Sequence, residues 1–341
     1  MKLRAKNSLH EKIGLIIALL VIVVVFTIIN PNYFSFKNLM NVATGASLTG
    51  LVAIAETFLI IAGLIDLAPG SVAAFSSVIA GLFVMKGVPF WLVIPLVTLV
   101  GALIGLFNGI GYNKFHLEPF IITLSSMSIF RGLGYILCGG KPVFIPDEKF
   151  NAIGSYRIFG FLNIPVLVLI IALIVFGIIL NKTRFGRSVY ALGGNSYAAR
   201  LAGLNPARIS TTLFIISGAL ASLGGALLAA RMTSSQPSSC TGLEFDAITG
   251  VVLGGVTMSG GVGTIGGMIL GLSIMQGFNT GLLMAQVPTF WQTVARGLLL
   301  LFALIFDFYR RKNHEKKILM QSISSHNTEK VSPRKSNKMQ K

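Results

Sequence analysis

The sequence predicts an all-α polytopic membrane protein of about ten transmembrane helices, on three observations. Mean hydropathy is +0.78 over the whole length, too high for a soluble globular chain. Hydrophobic residues make up 53% and charged residues only 11%. Apolar runs close to the ~20 residues that a membrane helix needs recur along the chain, divided by short polar segments. Glycine is abundant, 38 residues, and suits helices that approach closely in a bilayer.

Taken in order, the expected spans are 13–29, 46–63, 71–84, 90–112 and 120–137. After the polar segment 139–157 come 164–180, 209–230, 245–256, 263–284 and 290–308. The spans 71–84 and 245–256 are short, which marks them as broken helices. The first run follows a basic flank and resembles a signal peptide. No small-residue cleavage site follows it, so it reads as a retained helix. The domain organisation is then a cytoplasmic flank (1–12), a transmembrane domain (13–308) and a basic, disordered tail (309–341).

The formal net charge of +17 might suggest a nucleic-acid partner. Its placement argues against one. Four of the 28 basic residues precede Ile13, five lie in the polar island 181–208, and ten follow Phe308. These are flanks of apolar runs, where the positive-inside rule places Lys and Arg. N-terminus, island and tail therefore face the cytoplasm, and both termini are cytoplasmic in a multi-pass cell-membrane protein. Six spans before the island and four after it satisfy all three constraints. The same parity puts 141–157 and 232–244 outside. The tail's charge suits anionic lipid head groups.

Cys138 and Cys240 form no CxxC motif, and the four histidines form no HExxH pair, so no metal site or catalytic constellation is expected. No Walker A motif occurs. Any ATP that drives this chain is bound and hydrolysed on another polypeptide, and the chain itself needs no cofactor. A weak internal echo, Gly101–Leu106 with Gly267–Leu272 and Asn108 with Asn279, points to two related halves.

Polar residues inside membrane spans are costly and are functional candidates by default. Asp66 sits in a Gly- and Pro-bracketed break, either as a cap for the following helix or as part of a solute path. Glu56 either faces a polar cavity, pairs with Arg131 or Arg296, or lies near the head groups. Arg131 and Arg296 share an Arg-Gly-Leu pattern and are either partners of such carboxylates or snorkelling side chains. Asn108, Thr123, Asn279 and Gln292 complete the candidate translocation path. The run Gly254–Gly267 reads as close helix packing. The outer segments carry Lys141, Asp147, Glu148, Lys149, Glu244 and Asp246, mixed charge suited to docking a soluble partner.

The island contains FGRSVYALGGNSYAARLAG (185–203). With QPSSCTGLEFDAI (236–248), VLGGVTMSGG (252–261) and PFIITL (119–124), it makes the chain resemble the membrane permease subunits of ribose-type sugar ABC importers. The resemblance runs from about Asn38 to Asp307. It departs from the family pattern at Leu64, Ala68 and Pro69, around the matching Asp66, Gly70 and Ser71, and at Cys240. It implies a second permease subunit, two cytoplasmic ATPase subunits and an extracytoplasmic sugar-binding protein. It also implies that Arg187, Gly193, Gly194, Asn195, Ala199, Arg200, Leu201 and Gly203 couple to the ATPase, with a coupling helix at roughly 193–203. The expected cargo is a monosaccharide such as ribose. Related permeases carry nucleosides, a furanose-like signalling molecule or branched-chain amino acids. A proton- or sodium-coupled transporter with Glu56 and Asp66 as coupling carboxylates is the reading from a different class, and a non-transporting membrane scaffold or receptor is a third.

Overall fold

A computed structural model describes the backbone of residues 2–331 and the side chains of residues 13–309 and of Lys312. The helices are α1 (Lys2–Ile29), α2 (Phe36–Ile61), α3 (Pro69–Met85), α4 (Phe90–Phe115), α5 (Pro119–Cys138), α6 (Glu148–Ser155) and α7 (Ile164–Lys182). They continue with α8 (Arg184–Gly194), α9 (Ser196–Leu201), α10 (Pro206–Met232), α11 (Leu243–Leu253), α12 (Ile265–Met284) and α13 (Thr289–Val331). Among the described residues, four two-residue strands, β1 (Val143–Phe144), β2 (Arg157–Ile158), β3 (Leu162–Asn163) and β4 (Ser234–Ser235), form two short antiparallel pairs.

Among the described residues, seven helices, α2, α4, α5, α7, α10, α12 and the first part of α13, are long and apolar enough to cross a membrane. The apolar part of α1 and the whole of α3 are shorter. The chain is an all-α, multi-pass membrane protein, and each expected span falls on a helix. Where boundaries moved, local caps explain the shift. The second span begins ten residues before the expected Ala46, because Ser35 accepts a bond from the Asn38 amide and starts α2 at Phe36. The tail expected to be disordered instead continues α13 as backbone helix to Val331. Its Lys, Glu, Gln and Met content is compatible with helix. Residues 332–341 lie outside the described residues, and of the tail charges expected on lipid the Lys312 side chain alone is described.

The centre of the bundle is α2 and α10, whose spans are the most buried, 78% and 72%. Alpha-helices α4 and α10 meet backbone to backbone. A Cβ added to Gly101, Gly105 or Gly218 would overlap the opposite main chain, so glycine at these positions is a steric requirement. Helices starting at Phe36, Pro69, Phe90 and Pro119 are matched by helices starting at Pro206, Leu243, Ile265 and Thr289, a shift of about 170 residues each time. The faint sequence echo is therefore a repeat of helix order.

The loops gather at two ends. At one end β1 pairs with β4, joining the two segments expected outside the membrane. There Asn163 Nδ2 donates to Thr44 Oγ1 at 2.9 Å. At the opposite end the island folds as α8 and α9 and packs on Ile61 and on the turn between α11 and α12.

Candidate functional site: two interrupted helices and a folded polar island

The first group of residues lies where two helices start inside the bundle. Alpha-helix α11 has eleven residues and spans about 16 Å, roughly half of a ~30 Å hydrocarbon core. Pro69 opens α3 at its first turn, where a missing amide hydrogen costs nothing. The two N-terminal turns touch: a Cβ on Gly70 of α3 would overlap the Glu244 carboxylate of α11 and come within 2.5 Å of the Cys240 carbonyl. Only a glycine leaves room for this approach.

Asp66 lies just ahead of α3 and is buried. Its Oδ1 accepts the Ala68 amide at 2.9 Å, and its Oδ2 accepts the Ser217 hydroxyl of α10 at 2.8 Å. The helix-cap expectation is thereby corrected. Ala68 occupies the cap position without a side-chain bond, and Asp66 instead closes an Asx-type turn and ties the break to α10.

Glu56 is fully buried, with its carboxylate beside the Asp66 backbone amide and without a side-chain hydrogen-bond partner. It lies within electrostatic reach of Asp66 and Glu244. Of the alternatives for Glu56, pairing with Arg131 or Arg296 does not occur, and its surroundings are protein. Arg131 Nη1 donates to the Pro237 and Ser239 carbonyls at 2.8 and 2.6 Å, fixing the loop that leads into α11. Arg296 Nη1 faces Asp246 Oδ2 at 3.7 Å. Both arginines are thus tied to protein groups and are not simply snorkelling.

The remaining path candidates are only partly brought together. Asn108 is buried on α4, with its Oδ1 unpartnered, and Asn279 on α12 interacts with Asp246. Thr123 and Gln292 spend their hydrogen bonds on the Pro119 and Val287 carbonyls nearby in sequence. Sequence reading missed Ser217 and the buried, unpartnered Ser71 hydroxyl. Ser71 stands in the matched motif; Ser217 left no signal in its own segment.

The outer candidates separate into two groups. Lys141, Glu148 and Lys149 are exposed, and Asp147 caps α6 through the Phe150 amide at 2.9 Å. Glu244 is buried and Asp246 half-buried, so these two belong to the interior junction and not to an outer docking surface. Their sequence position beside an outer loop misled, because that loop turns inward before α11 begins.

The second group is the island. Thr183 and Asn195 accept the Gly186 and Ala198 amides and start α8 and α9. Arg187, Arg200, Tyr197 and Leu201 are exposed, Tyr197 and Leu201 by 72% and 73% and one turn apart on α9. Ala199 is buried beneath them, and Gly203 takes a left-handed φ of 83° that ends α9. Gly193 faces the bundle. The Tyr190 hydroxyl donates to the Gly263 carbonyl at 2.7 Å, and burial raises this phenol above its ordinary value, so it stays a donor at neutral pH. A cleft of about 490 Å³ separates α9 from the ends of α2 and α4, lined by Gly63, Tyr112, Asn113, Ser196, Arg200 and Ser210 among others. Among the described residues, no group of three or more His, Cys, Asp or Glu could hold a metal ion.

Interrupted helices with buried polar groups suit the passage of a solute, and known proteins are similar to this chain in sequence. The family described as branched-chain amino acid transport system / permease component matches residues 38–304. The L-arabinose ABC transporter permease protein AraH of Azospirillum brasilense is 35% identical, over 90% of this chain and 91% of its own. The ribose import permease protein RbsC of Bacillus subtilis is 35% identical, over 88% and 94%. The L-arabinose transport system permease protein AraH of Escherichia coli is 37% identical, over 90% and 93%. No solved structure matches.

Proposed function

The chain belongs to the branched-chain amino acid transport system / permease component family, and from that premise we propose that it is the membrane-spanning subunit of an ATP-driven monosaccharide importer. The observation that carries the cargo assignment is the likeness, over about nine-tenths of both chains, to relatives named for L-arabinose and ribose. A five-carbon sugar is accordingly the first substrate class to test. Sugars are polyhydroxylated and neutral, and the buried polar side chains on interrupted helices suit such a solute.

In this reading α8 and α9 face the cytoplasm, with both termini on the same side. Exposed Arg187, Tyr197, Arg200 and Leu201 meet a separate ATPase subunit, which binds the nucleotide. A second permease copy or sister chain completes the channel. The exposed charges at Lys141, Glu148 and Lys149 receive an extracytoplasmic sugar-binding protein, by charge complementarity. ATP and the loaded binding protein then each favour one orientation of the bundle through their differential contacts.

The test is uptake of labelled L-arabinose and ribose into cells lacking the chain and into complemented cells, with a branched-chain amino acid as comparison. Sugar uptake that needs this chain and collapses on ATP depletion supports the reading. Uptake of leucine instead, or sugar uptake that follows an imposed ion gradient without ATP, overturns it.

A further inference from the structure

The glycine pair at the end of α8 has a geometry that docking alone does not require. The Ile61 carbonyl, at the last residue of α2, accepts the Gly261 amide at 2.8 Å. A Cβ on Gly193 would overlap that same carbonyl and would stand 2.8 Å from the Gly261 nitrogen. Gly260 and Gly261 hold left-handed φ values of 83° and 75°, and their own Cβ positions meet Gly193 and Gly194. Three backbones therefore meet without any side chain between them: the end of α2, the end of α8, and the turn joining α11 to α12. The bond from Tyr190 to Gly263 fastens α8 to the same turn.

These backbones lead to the two interrupted helices. From Ile61 the chain runs through Asp66 into α3. From the glycine turn it runs back into α11, whose other end touches α3 at Gly70. The α11–α12 hairpin is itself glycine-packed: Gly254 abuts the Gly267 carbonyl, and Gly271 abuts the Gly250 carbonyl. At these glycines the two backbones touch directly, with no side chain between them to absorb a displacement.

We propose that Gly193 is a positioning residue that delivers movement of the polar island to both interrupted helices at once. The island acts on the break before α3 and on the foot of α11 through a single three-way backbone contact. This inference rests on the importer reading above. It adds that the inner glycine face of the island transmits motion while its outer face, at Tyr197 and Leu201, docks.

The experiment uses the full transporter, co-purified with its ATPase subunits and reconstituted in vesicles with labelled L-arabinose as probe. Wild type is measured first: if no ATPase accompanies it, the importer reading fails, and this inference with it. Given an active wild-type complex, Gly193→Ala lowers the number of sugars moved per ATP hydrolysed by roughly tenfold to a hundredfold, the range of a typical coupling energy. Gly177→Ala, whose added methyl meets open space, leaves that ratio unchanged. Tyr190→Phe, which removes one bond and no volume, lowers it severalfold and covers the case in which Gly193→Ala does not accumulate. Hydrogen exchange adds a readout that simple destabilisation would not mimic: ATP binding changes protection of residues 62–68 and 254–264 together in wild type. An unchanged transport ratio in Gly193→Ala, or in Tyr190→Phe when the first variant is lost, overturns the proposal. So does an ATP response confined to one of the two segments.

Discussion

Ser217→Ala removes one of the two hydrogen-bond partners of Asp66 and offers a quantitative check on the interior junction. The Ser217 hydroxyl donates to Asp66 Oδ2 at 2.8 Å, and the two residues are 1% and 2% exposed. Water cannot replace a partner lost at this depth. A hydrogen bond to a charged group contributes about 1.5–3 kcal/mol, and a buried acceptor left unsatisfied costs a comparable amount. Ser217→Ala should therefore destabilise the protein by about 2 kcal/mol. Asp66→Ala also frees the Ala68 amide, bonded at 2.9 Å, and should cost about 3–5 kcal/mol. In a double-mutant cycle the direct pair isolates as a coupling of about 1.5–3 kcal/mol, because Ala68 cancels between the two arms. The assay is reversible denaturant unfolding of the purified protein in mixed micelles for the wild type, both single variants and the double variant. A coupling below about 0.5 kcal/mol, the scatter expected for independent sites, would refute the idea that this bond anchors the break before α3 to α10.

Further outcomes follow from the same geometry. Gly105→Ala must push α4 from the Phe214 carbonyl, so it should lower thermal stability by about 1–3 kcal/mol despite alanine's better helix propensity. Gly132→Ala, with open space around its new methyl, should leave stability unchanged or raise it, and equal melting temperatures for the two variants would count against the tight α4–α10 contact. Tyr197→Ala with Leu201→Ala deletes the exposed apolar pair of α9 and should weaken ATPase co-purification by tenfold or more, about 1.4 kcal/mol at least, with the helix content of the permease unchanged by circular dichroism. Arg131→Met strips the Pro237 and Ser239 carbonyls of their cationic donor and should speed proteolysis of the 236–242 loop, whereas Arg131→Lys should do so less.

The fold was legible because a bilayer demands long apolar runs, and each run is visible by length and composition alone. Basic flanks then sorted the loops, and the pairing of β1 with β4 joins the two segments assigned to one side. Less was legible at the junction. Asp66 was found from its glycine and proline neighbours, but its partner Ser217 lies 151 residues away in an ordinary apolar helix. Glu244 looked like an outer-loop acid, because sequence order does not reveal that the loop before it turns inward. An arginine partner was one of three alternatives for Glu56, and sequence does not reveal that Arg131 is used by two carbonyls and that Arg296 faces Asp246. The island was recognised by its charge and its motif. Its glycines were linked to ATPase coupling by motif alone, and the fit of Gly193 against Ile61 was not legible, since the absence of a side chain in sequence does not say which backbone comes close.

If this membrane domain works through a separate ATPase, purification of the tagged chain from native membranes, with identification and quantification of what accompanies it, will show it. The account predicts an ATPase subunit carrying a Walker A motif in one-to-one ratio with the chain, lost when Tyr197 and Leu201 are both replaced by alanine. Recovery of the chain without any ATPase, while it still supports sugar uptake under an ion gradient, would contradict the account and return Glu56 and Asp66 to the role of ion-coupling carboxylates.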